Sequence, residues 1–133
     1  MKSSSAEPAL VTKLGGPAVV DRLVEAFYLR MDTLPEAMTI RAMHKPDLSP
    51  IKEVLKRYLV EWLGGPPLYS SERGAPRLRA RHLPFKIGIA ERDAWLSCMR
   101  GALDETVEDP ALRAELNRAF DGLADWMRNQ PND

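Results

Sequence analysis

One histidine stands where a metal could take it. In Arg77-Leu78-Arg79-Ala80-Arg81-His82-Leu83-Pro84-Phe85, one of the chain's two histidines sits among three arginines, two residues ahead of a proline. The residue before a proline is pushed out of the helical region, so a helix through this stretch ends near His82. Helix ends leave carbonyls unpaired, and these lie within reach of one imidazole nitrogen. The other nitrogen is then free for iron, copper or zinc, the usual state of a ligating histidine. A zinc enzyme needs about three protein ligands, and His44 with its scattered carboxylates does not supply them. The chemistry that suits His82 is a single axial ligand. The same residues also fit a surface histidine in a basic loop.

Other groups are less pointed. Arg77, Arg79 and Arg81 alternate, so they bind paired carboxylates or phosphate, or form a solvated stripe. Tyr58, Trp62 and Trp95 fall on helical faces as core residues do, and Cys98 reads as a small buried hydrophobe. Glu91, Arg92 and Asp93 read as a helix-start cluster, since carboxylates are favoured in a first turn. Neither Gly15-Gly16 nor Gly64-Gly65 has the spacing of a phosphate-binding loop. No nucleophile, base and orienting group occur as a set, so hydrolysis has little support.

Length and charge bound the rest. A chain of 133 residues forms one domain and buries roughly two-thirds of the surface it exposes when unfolded. Lysines and arginines number 19 and so do aspartates and glutamates, so overall charge points to neither nucleic acid nor an anionic membrane. No apolar run approaches the ~20 residues of a membrane span, and the first residues lack a leader's apolar stretch. A lone cysteine forms no internal disulfide. Together these predict a cytoplasmic protein, monomeric or homodimeric.

Helices must position these groups. The expected domain covers residues 9–128, between a disordered tail at 1–8 and a frayed end at 129–133. A short turn at 9–14 stops at Gly15-Gly16, and Pro17 opens a helix whose Val20, Leu23, Val24, Phe27 and Met31 share a face through about residue 31. Tyr28 lies beside that face, and its hydroxyl needs a partner if buried. Residues 32–47 are irregular, with short helical pieces plausible at 35–43. Ser49-Pro50 reads as an N-cap and first turn of a helix carrying Ile51, Val54, Leu55, Tyr58, Leu59 and Trp62, which ends at Gly64-Gly65. Residues 66–88 show no sustained period and read as a structureless connection of about 20 residues, a length more often functional than idle. Two helices follow, at about 90–107 and from the Asp109-Pro110 cap to about 128.

Four pieces, in order, resemble the group II truncated haemoglobins: Phe27-Tyr28; Trp62-Leu63-Gly64-Gly65-Pro66-Pro67-Leu68-Tyr69; Pro76 to Phe85; and Glu91-Arg92-Asp93-Ala94-Trp95-Leu96 with Cys98-Met99. The resemblance implies an all-α truncated globin fold, a two-over-two helical sandwich around haem b. In it His82 matches the proximal iron ligand, Tyr28 the distal tyrosine that donates to the gas ligand, and Trp95 the distal-side tryptophan that adds a second donor. His44 falls at or next to the position lining the distal pocket before the third long helix; Met43 fits an ungapped alignment. Ile51 and Leu55 match apolar distal positions, and Phe85 lies in the matched stretch as a further haem-lining residue. Arg81, then Tyr69, are the candidates for pairing with a haem propionate. The sequence departs from the family's commonest form at Ala75, where a histidine often stands, and residues 29–43 run slightly longer.

The implied function is binding, and so transport, of dioxygen and other diatomic gases such as NO or CO at a pentacoordinate iron. Hydrogen bonds from Tyr28 and Trp95 would slow release. An enzymatic alternative is haem redox chemistry on NO, peroxide or peroxynitrite, supported by an unidentified reductase, which turnover with a known reductant would distinguish. A third is a haem-free helical interaction module. Should His44 swing onto the iron, the ligand-free form would be six-coordinate.

Overall fold

The computed structural model describes residues 8–130. The expected N-terminal tail up to residue 7, and residues 131–133, lie outside the described residues. Eight α-helices follow in order: α1 (Leu10–Leu14), α2 (Pro17–Thr33), α3 (Met38–Ala42), α4 (Ser49–Trp62), α5 (Ser70–Arg73), α6 (Leu78–His82), α7 (Ile89–Thr106) and α8 (Pro110–Trp126). A 3-10 turn, Pro35–Ala37, leads into α3, and no strand occurs among the described residues.

Four helices make the frame. α2 packs on α4, α7 packs on α8, and the closest crossing joins α2 to α7, so one helical pair lies over the other. The apolar periods cause this: α2 buries Val20, Leu23, Val24, Phe27 and Met31, while α7 buries Ala94, Cys98, Met99, Ala102 and Leu103. At Gly101 the Arg30 side chain lies across the helix where a Cβ would stand, so a larger residue there would displace that flexible side chain. Phe27 and Phe120 are fully buried, and truncating either to alanine would cost about 3 to 5 kcal/mol. No charged residue is buried among those described.

Charge and turn chemistry fix the angles. Lys56 of α4 reaches Glu25 at 2.8 Å and Asp21 at 2.9 Å on α2. The Lys56 and Lys52 ammonium groups hold the Glu25 carboxyl below its usual range. Gly64 ends α4 at φ +95°, where a Cβ would also meet Ala9, and Val11 N–H donates to the Leu63 carbonyl at 2.9 Å. The Asp109 carboxylate accepts from Ala111 N–H at 3.0 Å and caps α8 as expected.

Three expectations need correction. Ser49 is not the N-cap of α4 but its first helical residue; the Asp47 carboxylate instead accepts the Ser49 N–H at 3.0 Å. Residues 66–88 are not structureless, since α5 and α6 lie within them. Each is too short to show a period, and α5 exists because the Glu61 carboxylate accepts from Tyr69 N–H, Ser70 N–H and the Ser70 hydroxyl. Fraying does not begin at residue 129 either. Asn129 is hydrogen-bonded on both main chain and side chain to residues 82–87.

Candidate functional site

His82 closes α6, and its ring is held from behind. Nδ1 lies 2.6 Å from the Leu78 carbonyl one turn back. A carbonyl only accepts, so Nδ1 carries the proton and Nε2 presents its lone pair. The helix that offers this nitrogen fully buries no residue and meets the core through partly buried Leu78. Side chains tether it further. Asn129 Nδ2 donates to the carbonyls of Phe85 at 2.7 Å and His82 at 3.2 Å, while its Oδ1 accepts from Ile87 N–H at 2.9 Å. Arg79 donates to the Arg128 carbonyl at 3.3 Å and lies over the Trp126 ring at 5.8 Å. Arg77 enters α6 at φ +48°, a left-handed conformation costing about 1 to 2 kcal/mol in a non-glycine residue.

Tyr28, Trp95 and His44 form an aromatic group on α2, α7 and the turn after α3. Phe27 links the first two, with its ring 4.9 Å from Tyr28 and 5.1 Å from Trp95. Trp95 also leans on Phe120 at 5.9 Å, which fixes its indole plane. Tyr28 is 4 % exposed, yet its hydroxyl has no hydrogen-bond partner among the described residues, and neither has the half-buried Trp95 indole N–H. Burial pushes the Tyr28 hydroxyl well above the ordinary tyrosine range, so it keeps its proton. Both groups are donors in want of an acceptor.

His44 packs edge to face on Tyr28, 5.9 Å between centroids. Its Nδ1 lies 2.8 Å from the Ile40 carbonyl. Burial lowers its pKa below the ordinary imidazole value; the Ile40 carbonyl opposes this, and the charges of Arg41 and His82 lower it further. His82 is thus close enough to be felt at His44.

The remaining expected residues surround these. Leu55 of α4 is half-buried and Ile51 is 38 % exposed, although α4 has the strongest apolar period in the chain. Phe85, past α6, is 39 % exposed. On α4, Ile51 stands exposed while Val54 and Leu55 pack in part against the core. Arg81 is exposed; its Nε donates to the Pro76 carbonyl at 2.8 Å and its guanidinium lies 6.0 Å above the Tyr69 ring. Tyr69 is buried, edge-on to Tyr58 at 5.8 Å. Sequence reasoning missed Asn129 and Glu61. Both act on main chain 8 to 47 residues away, and no local pattern announces such contacts.

The comparisons with known proteins agree. The family model for bacterial-like globins matches residues 9–129. The chain is 39 % identical over 115 residues to the group 2 truncated hemoglobin YjbI of Bacillus subtilis, covering 86 % of this chain and 85 % of that protein. A group II 2-on-2 hemoglobin from Agrobacterium tumefaciens superposes with a TM-score of 0.90 at 46 % identity, over 96 % of this chain and 99 % of its own. The cold-adapted truncated hemoglobin of Pseudoalteromonas haloplanktis TAC125 gives 0.90 at 39 % identity, over 92 % and 99 %. The match over residues 9–129 and the two helical pairs make this chain a member of the bacterial-like globin family, of the group II truncated haemoglobin kind.

Proposed function

We infer that the chain holds haem b with His82 Nε2 as axial ligand and binds dioxygen or another diatomic gas at a pentacoordinate iron. Its globin membership carries haem-based ligand binding. When bound, haem iron supplies an open coordination position to which a diatomic gas can add. The chain's residues suit that group. Ile51 and Phe85, each more than a third exposed, and half-buried Leu55 offer apolar contact to a flat macrocycle and would exclude water from it. The guanidinium nitrogens of Arg81 beyond Nε have no partner among the described residues, which suits a propionate carboxylate.

The observation that carries the reading is the Tyr28 hydroxyl, which keeps its proton on an otherwise buried ring and has no hydrogen-bond partner among the described residues. The hydroxyl oxygen is not among the fully buried unpaired atoms, so it opens onto the site, where a ligand can accept from it. Trp95 offers a second N–H, and tryptophan can only donate. His44, with Nδ1–H committed to Ile40, keeps a lone pair on Nε2 and so orients Tyr28 rather than adding a donor. The test is the absorption spectrum of the purified protein in ferric, ferrous and oxygen-exposed forms, alongside His82→Ala. A Soret band with a five-coordinate ferrous spectrum, lost or reshaped in His82→Ala, is expected. A spectrum unchanged by that substitution would remove His82 from the iron.

A further inference from the structure

The five cations Arg73, Arg77, Arg79, Arg81 and Lys86 lie within 14 residues, and residues 73–90 contain no carboxylate. The chain's basic and acidic residues cancel overall, so this segment's charge is balanced by an equal acidic excess elsewhere. All five side chains are exposed, and none has a carboxylate within 4 Å among the described residues. By contrast every lysine and arginine of α4 and α7 is ion-paired. The cations flank His82 on both sides of α6: Arg81 leans toward Tyr69, and Arg79 toward Trp126. Apolar groups stand exposed among them, Leu83 at 57 % and Trp126 at 63 %.

We propose that this basic collar is the docking surface for an acidic one-electron donor protein that reduces the haem. The proposal rests on the haem reading of His82. A solvated stripe would not need exposed tryptophan and leucine at its centre, whereas arginine and tryptophan around an apolar centre are the composition of protein interfaces. The charge is concentrated where it is useful, since a partner seated on α6 is one short helix from the axial ligand. With Arg81 engaged by a propionate, the positive charge of Arg73, Arg77, Arg79 and Lys86 steers an acidic partner there and leaves the chain's acidic remainder to repel it elsewhere. The step itself is a one-electron transfer: the donor is oxidised by one electron, ferric haem becomes ferrous, and no covalent bond forms or breaks.

The test uses the ferric haem-loaded protein with a flavodoxin as acidic donor probe. Affinity is measured by calorimetric titration, and haem reduction by stopped-flow absorbance at about 20 and 200 mM salt, where the screening length shortens from about 20 Å to about 7 Å. Arg73→Glu and Lys86→Glu reverse collar charges that hold no contact of the haem site, while Arg118→Glu makes the same change on exposed α8. Expected are binding and reduction at least tenfold weaker at high salt, and a loss of similar size in the Arg73→Glu/Lys86→Glu protein but not in Arg118→Glu, with one unchanged Soret spectrum throughout. A normal Soret band with binding indifferent to salt or to the collar reversals overturns the docking surface alone. Charge-dependent binding to anionic vesicles or duplex DNA, with none to flavodoxin, overturns it in favour of those ligands. Absence of any Soret band in the unmutated protein overturns the haem reading and this inference with it.

Discussion

The rings of Tyr28 and His44 meet edge to face, 5.9 Å between centroids, while each is committed differently: His44 Nδ1 to the Ile40 carbonyl, the Tyr28 hydroxyl to nothing described. The histidine therefore confines the tyrosine without satisfying it. A rigid, unspent donor loses little conformational freedom when an acceptor arrives, so more of its bond strength reaches the ligand.

Tyr28→Phe removes that donor and leaves the ring contacts with Phe27 and His44 in place. A hydrogen bond to a charged group is worth about 1.5 to 3 kcal/mol. At about 1.4 kcal/mol per factor of ten, the oxygen off-rate should rise about tenfold to a hundredfold. Flash photolysis or oxygen displacement by carbon monoxide reads this directly. A change within about twofold would sink the distal hydrogen-bond reading.

His44 should titrate below the ordinary imidazole value, because burial disfavours its charged form. In the carbon monoxide complex His82 is on the iron in our reading, which leaves His44 as the imidazole whose proton resonances follow pH. Their midpoint is expected below 6.5. The sign for stability follows: the unfolded chain takes up this proton first, so folding loses stability as pH falls from about 6.5 to the folded midpoint, and no further below it. His44→Gln should flatten that acid loss. A midpoint at or above 6.5 would show that the ring is solvated.

The four frame helices were legible because each repeats its apolar residues over about four turns or more, and Gly16-Pro17 and Asp109-Pro110 mark the starts of α2 and α8. α5 and α6 were not. A helix of four or five residues has no period, and these two owe their existence to Glu61 and Asn129, which are distant in sequence. The site splits the same way. Tyr28 and Trp95 can be placed on helical faces from spacing alone, but that their donors are both unpaired is a property of packing. His82 was visible as a helix-end histidine, although its tautomer depends on the Leu78 carbonyl position.

Asn129 makes a sharper claim than its place near the chain's end suggests. Asn129→Ala would leave the Ile87 N–H and the carbonyls of His82 and Phe85 without their side-chain partner. The cost should be about 1 to 3 kcal/mol, toward the lower end because the site is part-exposed. Since α6 has little packing of its own, the loss should fall on the haem-bearing segment: faster haem transfer to an apoglobin scavenger, with the oxygen off-rate nearly unchanged. Asn129→Asp keeps the acceptor for Ile87 but loses both donors, and should fall between the two. If haem transfer is unaltered in Asn129→Ala, the tether is not what positions His82.

Cys98 is fully buried on α7, and burial, assisted by the Glu36 charge and opposed by Arg30, pushes its thiol up to about 11. At pH 8 the folded thiol is therefore neutral and out of reach, and a thiol reagent can label it only through opening of the α2 and α7 crossing. Labelling should be at least a hundredfold slower than in urea-unfolded protein, and at a fixed reagent concentration its rate should track stability. The pH dependence has a definite sign. Below about 8.5 the thiol is protonated in both states and contributes no pH dependence. Above it the unfolded chain ionises while the folded chain does not, so stability falls as pH rises toward 11. Cys98→Ala should shrink the difference in unfolding free energy between pH 8 and pH 10.5, even though the other buried hydroxyls, Tyr28 and Tyr58, still contribute to that slope. Rapid labelling at pH 8 would mean that the α2 and α7 crossing opens far more readily than its burial implies.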